Sequence, residues 1–136
     1  NVELQCAAAG DGRLECDPQM LRSLLVNLLE NSLDACRIDS AKSAHLVRVE
    51  LIEQSEVIQF AVSDNGIGMD QETREKAFSL FFSSKGAGGT GLGLFISNKI
   101  AQAHGGRILV ESEEGVGSRV LVELPRRRPH IDPDTT

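Results

Sequence analysis

Gly86-Ala-Gly-Gly-Thr-Gly-Leu-Gly-Leu94 is the stretch on which the fold turns. Taken alone, Gly86 to Gly91 satisfies G-x-G-x-x-G, and Glu111 stands twenty residues beyond Gly91 at the end of a strand-like "RILVE", which makes a dinucleotide-binding fold the first candidate. That fold needs a hydrophobic strand feeding directly into the glycines and further strand-helix units after the acidic residue. Phe81-Phe-Ser-Ser-Lys85 is too short a lead-in, and two strands at most remain after Gly106. The run reads instead as a flexible lid entering a helix N-terminus, where backbone N–H groups and the helix dipole attract phosphate. A plain flexible connection is the competing reading. No Lys follows the last glycine as a Walker loop requires, although Lys85, just before the run, offers the charge.

Outward from the glycines, short periodic segments alternate with turn signals. Val2–Cys6 and Arg13–Cys16 read as strands around the turn Gly10-Asp-Gly12. Asp17-Pro18 announces a helix to about Arg37, with Asp as N-cap and Pro in the first turn. After the polar "IDSAKSA", strands Leu46–Ile52 and Val57–Asp64 form a hairpin through Glu53-Gln-Ser-Glu56. Asp70 caps a short helix over Gln71–Ala77, and the glycine run leads into a helix over Gly91–Ala103. Strands Arg107–Ser112 and Ser118–Leu124 close the pattern around Glu114-Gly-Val-Gly117. Paired strands separated by helices predict an α/β two-layer sandwich, a mixed or antiparallel sheet with helices on one face. Residues 1–125 form the expected domain; 126–136, from the first Arg of "PRRRP" onward, read as a disordered tail or linker.

The 136 residues, 40% hydrophobic and 25% charged, suit one globular domain with a usable core. A formal charge of −6 and the absence of Trp and Tyr argue against a nucleic-acid module. No long apolar run or secretory signal occurs, so no direct membrane contact is expected. Cys6, Cys16 and Cys36 lack C-x-x-C spacing, which speaks for a reduced, cytoplasmic setting. The scattered His45, His104 and His130 point to no catalytic cluster, and a first residue other than Met suggests a piece of a longer protein.

Two further constellations carry chemistry. On the first helix, Asn27, Glu30, Asn31 and Asp34 fall on one stripe. It is either a solvated face or, since every group is carbonyl or carboxylate oxygen, the donor set Mg²⁺ takes beside substrate phosphates. Asp64-Asn-Gly-Ile-Gly-Met-Asp70 ends a strand. Asn-Gly by itself signals a hairpin, but a capped helix follows, so the glycines suit close backbone approach to a ligand and Asp64 points out of the sheet end. A carboxylate there accepts the amino hydrogen of adenine and repels the carbonyl of guanine.

In order, "NLLENSLDA", "DNGIGMD", "KAFSLFFSSK" and "GGTGLGLFISNKIAQAHGGRILVES" resemble the N, first glycine, F and second glycine boxes of the ATP-binding domain of sensor histidine kinases, in the GHKL (Bergerat-fold) superfamily. The resemblance covers about Leu4 to Pro125. It implies a sandwich that holds Mg²⁺ and ATP between helices and a mobile ATP lid. By position, Asn31 is the Mg²⁺ ligand, Asn27 and Lys85 approach the phosphates, Asp64 binds the adenine amino group, and Gly66, Gly68, Gly91 and Gly93 shape the pocket. The same boxes imply nucleotide contacts at Asp34, Met69, Phe82, Gly89, Thr90, Leu92 and Leu94, with Asn27, Asn31 and Lys85 as the catalytic set. His104 matches a structural position.

DNA gyrases and mismatch-repair ATPases share this superfamily, and there a Glu four residues before the Mg-binding Asn acts as base toward water. Here that residue is Asn27, which cannot take the proton, and Glu30 points about 100° away from Asn31. The departure favours phosphoryl transfer to a histidine on a separate dimerisation domain of the parent protein. The implied parent is a homodimer serving the receiver domain of a response regulator, and the fragment alone is a monomer. An ATPase or ATP-gated clamp, a regulatory nucleotide-binding module and an anti-sigma-factor-type serine kinase are the alternatives.

Overall fold

A computed structural model describes residues 2–8, 14–76 and 93–126. Its elements are β1 (Val2–Ala8), α1 (Pro18–Ile38), β2 (His45–Glu53), β3 (Val57–Asp64), α2 (Gln71–Glu75), α3 (Gly93–Ala103), β4 (Arg107–Glu113) and β5 (Gly117–Pro125). Helix α1 starts where its caps dictate: the Asp17 carboxylate accepts from the Gln19 and Met20 N–H groups, with Pro18 in the first turn. Asp70 caps α2 in the same way, through the Thr73 N–H at 2.7 Å.

The sheet order is β1-β2-β3-β5-β4. Strands β2, β3, β5 and β4 pair antiparallel, with Asp64 opposite Val47 on one side and Ser118 on the other. The first strand differs from the sequence expectation. Val2–Ala8 pairs in parallel with β2, Val2 opposite His45, after the chain has crossed through α1. Leu14–Cys16 form no strand; the Glu15 N–H reaches the Arg126 carbonyl at 2.8 Å. The turn at Gly10–Gly12 lies outside the described residues. A sheet edge offers more ladder hydrogen bonds than a short hairpin can, which explains the partner chosen.

Helices cover one face. Leu24, Leu28, Ser32 and Cys36, spaced by four, form the buried line of α1 and meet Val47, Val62, Val120, Val122 and Leu124 from the sheet. Ile100 and Ala101 bring α3 into the same core. Burial of each such aliphatic side chain is worth about 1.5–3 kcal/mol. At the far end of the sheet, Arg126 bonds the carbonyls of Gln54 and, through its N–H, Glu56, closing the β2–β3 turn. It sits at the boundary expected for the tail; residues 127–136 lie outside the described set.

His104 joins the two long helices. The ring is 2% exposed; its Nε2 accepts from the Asp17 N–H at 3.0 Å and its Nδ1 donates to the Ile100 carbonyl at 2.9 Å. That is a neutral tautomer with both nitrogens used, the structural role its box implied. His104→Ala should therefore cost about 2–4 kcal/mol, from the cavity and the orphaned Asp17 N–H together. Urea unfolding checks it; a loss below about 1 kcal/mol would mean that water replaces the link.

Candidate active site

Side-chain alternation along β3 puts Ile58, Phe60, Val62 and Asp64 in one row facing the helices. The row is apolar until its last member. Asp64 is thus not aimed out of the sheet end as expected, but sits on the core-facing side under α1. Its Oδ1 accepts from the Gly66 N–H at 2.9 Å. Burial pushes its carboxyl above the usual range, opposed by hydrogen bonds from Gly66, Ser32 and the Ser118 backbone and by the charge of Lys42. Ser32 is the matching exception on α1, a hydroxyl in an otherwise apolar line. Both are breaks in a periodic apolar pattern.

The loop after Asp64 is packed on two sides. A Cβ on Gly66 would stand 2.6 Å from the Ala35 carbonyl carbon and 2.8 Å from the Cys36 nitrogen, so the loop lies directly on the α1 backbone. Gly68 has φ of 69° and its missing Cβ faces the Glu113 carbonyl. Inside the protein, then, these two glycines admit neighbouring backbone. Further bonds run from Ile67 N–H to the Ala35 carbonyl, from Gly115 N–H to the Ile67 carbonyl at 2.7 Å, and from Met69 N–H to Ser112 Oγ at 2.8 Å. The β4–β5 turn therefore clamps the loop, a role its sequence did not suggest.

Along the α1 stripe, Asn27, Asn31 and Asp34 are half-buried and Glu30 is exposed. Asp34 pairs with Arg37 at 3.2 Å. Among the described residues, no group of three or more His, Cys, Asp or Glu is arranged to hold a metal. Amide oxygens with few carboxylates fit Mg²⁺ bound jointly with phosphates and water, rather than in an all-protein cage. Gly93 opens α3 and Leu94 packs against the core. Phe82, Lys85, Gly89, Thr90, Gly91 and Leu92 lie outside the described residues, which resume at Gly93. The structure thus brings Asp64, Gly66 and Ile67 against the Ser32–Cys36 turn of α1, and Gly68 and Met69 against the Ser112–Glu114 end of β4.

Residues 16–128 match the family model described as histidine kinase-, DNA gyrase B-, and HSP90-like ATPase. The chain belongs to that family. It is 40% identical over 119 residues to the methanogenesis regulatory histidine kinase FilI of Methanothrix harundinacea, covering 87% of this chain and 13% of that protein. To sporulation kinase E of Bacillus subtilis it is 33% identical over 129 residues, 94% of this chain and 17% of the relative. The catalytic domain of histidine kinase ThkA superposes with a TM-score of 0.78 at 29% identity, over 93% of this chain and 81% of that one. This is a Bergerat-fold, ATP-binding catalytic domain of the sensor histidine kinase type, and these neighbours do not favour the ATPase or serine-kinase readings. The chain spans less than a fifth of the length of those two full-length relatives.

Behind this loop stands a polar cluster drawn from the α1–β2 connection and the first residue of β2. Asp39, the C-cap of α1, accepts from His45 Nε2 at 2.9 Å, Lys42 Nζ at 3.0 Å and the Ala41 N–H at 3.2 Å. The His45 hydrogen bond first, then that of Lys42, holds the Asp39 carboxyl down to about 2. A depressed carboxylate stabilises the fold above its unfolded value and loses that contribution as pH falls through the folded one. The stability difference between wild type and Asp39→Asn should accordingly persist at pH 5 and shrink between about pH 4 and pH 2, followed by urea melts. A difference that stayed constant over that window would place the ionised form outside the stabilising set.

Proposed function

We propose that this domain binds ATP with Mg²⁺ and presents the γ-phosphate to a histidine on the dimerisation domain of its parent protein, in cytoplasmic two-component signalling. The observation that carries the reading is the pair Asp64 and Asn27: a half-buried carboxylate at the end of a core row, and an amide where a water-activating base would be needed. Asp64 accepts the adenine amino hydrogen, which its partly buried position strengthens. Gly66, Gly68, Met69 and Leu94 line the base side, while Gly89, Thr90, Gly91, Leu92, Gly93 and Phe82 belong to the lid side. Asn31 would hold the metal, which when bound neutralises charge on the phosphates, and Asp34 contacts the nucleotide. Asn27 and Lys85 orient the γ-phosphate.

In the transfer, the bond between γ-phosphorus and the bridging oxygen breaks, ADP leaves with the electron pair, and a P–N bond forms to the acceptor imidazole. Little covalent work falls to the domain; positioning and charge neutralisation supply the rate. Glu30, exposed on α1, is badly placed to activate water. The receiver domain of a response regulator then takes the phosphoryl group, and the parent acts as a homodimer.

The isolated domain is expected to bind ATP and barely consume it. Mixed with a dimerisation domain carrying the acceptor His, it should label that residue with an acid-labile, alkali-stable phosphate. Brisk hydrolysis without an acceptor would replace this reading with an ATPase, and acid-stable phosphoserine on a partner with a serine kinase.

A further inference from the structure

The Lys42 ammonium reaches two groups at once: the Asp39 carboxylate at 3.0 Å and the Gly66 carbonyl at 3.1 Å. Asp39 itself is a fixed anchor, its side chain 5% exposed and also bonded to His45. The peptide unit that Lys42 grips is held at its other end too, where the Ile67 N–H donates to the Ala35 carbonyl at 3.1 Å. One residue earlier, Asn65 bonds the start of β2 and the connection before it through both atoms of its amide, Oδ1 to the Leu46 N–H at 2.8 Å and Nδ2 to the Ala44 carbonyl. The Gly66 N–H in turn donates to Asp64 Oδ1 at 2.9 Å, beside the hydrogen bonds Asp64 takes from Ser32 and the Ser118 backbone. A rigid chain of contacts therefore runs from the end of α1 through Lys42 and Gly66 to the Asp64 carboxylate.

We propose that Lys42 is a positioning residue for recognition of the base: by holding the Gly66 carbonyl against the Asp39 anchor, it fixes the loop that aims Asp64 at the adenine amino group. The proposal rests on the reading of Asp64 as the adenine acceptor. Two physical consequences follow from the geometry. Hydrogen bonds weaken steeply with misalignment, so a loop released at Gly66 loses affinity for the amino group. The same release relaxes the repulsion that a fixed carboxylate exerts on the carbonyl of guanine, so discrimination falls from both sides. The positive charge of Lys42 acts in the same sense, because it opposes the burial that disfavours ionised Asp64.

The test is calorimetric binding of ATP and of GTP, each with Mg²⁺, to wild type, Lys42→Met, Lys42→Gln and Lys42→Arg, with thermal unfolding of each nucleotide-free variant alongside. Lys42→Met keeps the aliphatic stem and removes the ammonium. Its ratio of ATP to GTP affinity should fall about tenfold, the order expected for one misaligned charge-assisted bond, and Lys42→Arg should restore most of it. A purely structural role would lower stability, or both affinities together, and leave the ratio as in wild type; that outcome overturns the proposal. Should Lys42→Met fail to fold, Lys42→Gln carries the same expectation, since its polar end remains against Asp39 without the charge. A wild-type protein with no preference for ATP over GTP would instead sink the Asp64 reading itself, so the two failures are distinguishable.

Discussion

Asp64→Asn is expected to abolish the thermal stabilisation that ATP confers while leaving the nucleotide-free domain folded. Burial raises the Asp64 carboxyl above its ordinary value. A raised carboxyl contributes stability that is lost as pH rises through the folded value, so the charged form is the one that the fold disfavours. An amide removes the charge, and its oxygen still accepts from the Gly66 N–H. Toward adenine, however, the amide also presents a donor where an acceptor is wanted. Loss of a hydrogen bond to a charged group, with two donors left opposed, costs at least about 1.5–3 kcal/mol, on the order of 10²-fold in affinity. Melting with and without saturating ATP reads both halves of the expectation at once. An undiminished ATP shift in the Asn variant would end the assignment of Asp64. Alanine is the poorer probe, because it strands the Gly66 N–H and removes the acceptor that Ser32 and the Ser118 backbone also use; Asp64 contributes more to the local structure than a polar residue at a strand end would.

Two changes on α1 should act in opposite directions. Asn27→Glu restores a carboxylate four residues before Asn31, one helical turn away, and general-base assistance is typically worth about 10²–10⁴-fold. Steady-state ATP hydrolysis by the isolated domain should rise toward the lower end of that range, since the remaining geometry is built for another acceptor. Asn31→Ala should do the reverse to transfer, lowering phosphorylation of an acceptor histidine about 10²-fold at low Mg²⁺ while adenosine affinity changes little. No rise in hydrolysis from Asn27→Glu would remove Asn27 from the neighbourhood of the γ-phosphate, and normal transfer by Asn31→Ala at low Mg²⁺ would dissociate the α1 stripe from the metal.

Much of this domain is written locally. Asp17-Pro18 and Asp70 set two helix starts through side-chain bonds to N–H groups two or three residues on, and the hairpins β2–β3 and β4–β5 follow from alternation and turn residues. The glycine run could be separated from a dinucleotide fold because the deciding facts, a missing lead-in strand and too few strands afterwards, are also in the neighbouring sequence. Family membership was legible for the same reason: its boxes are contiguous stretches.

Tertiary structure alone decided what depends on partners distant in the chain. The ladder of β1 belongs to β2, some forty residues away, because an open sheet edge outcompetes a two-strand ribbon. Gly66 and Gly68 are small because α1 and the β4–β5 turn press on them, which no local pattern records. Asp39, Lys42 and His45 look like an unpatterned polar connection until Asp39 is buried and Gly66 arrives from β3 to meet Lys42. Local chemistry and periodicity fix where elements begin and which way side chains alternate; which buried polar group answers which is settled only when the layers close, since an unpaired polar group in a core costs more than any propensity contributes.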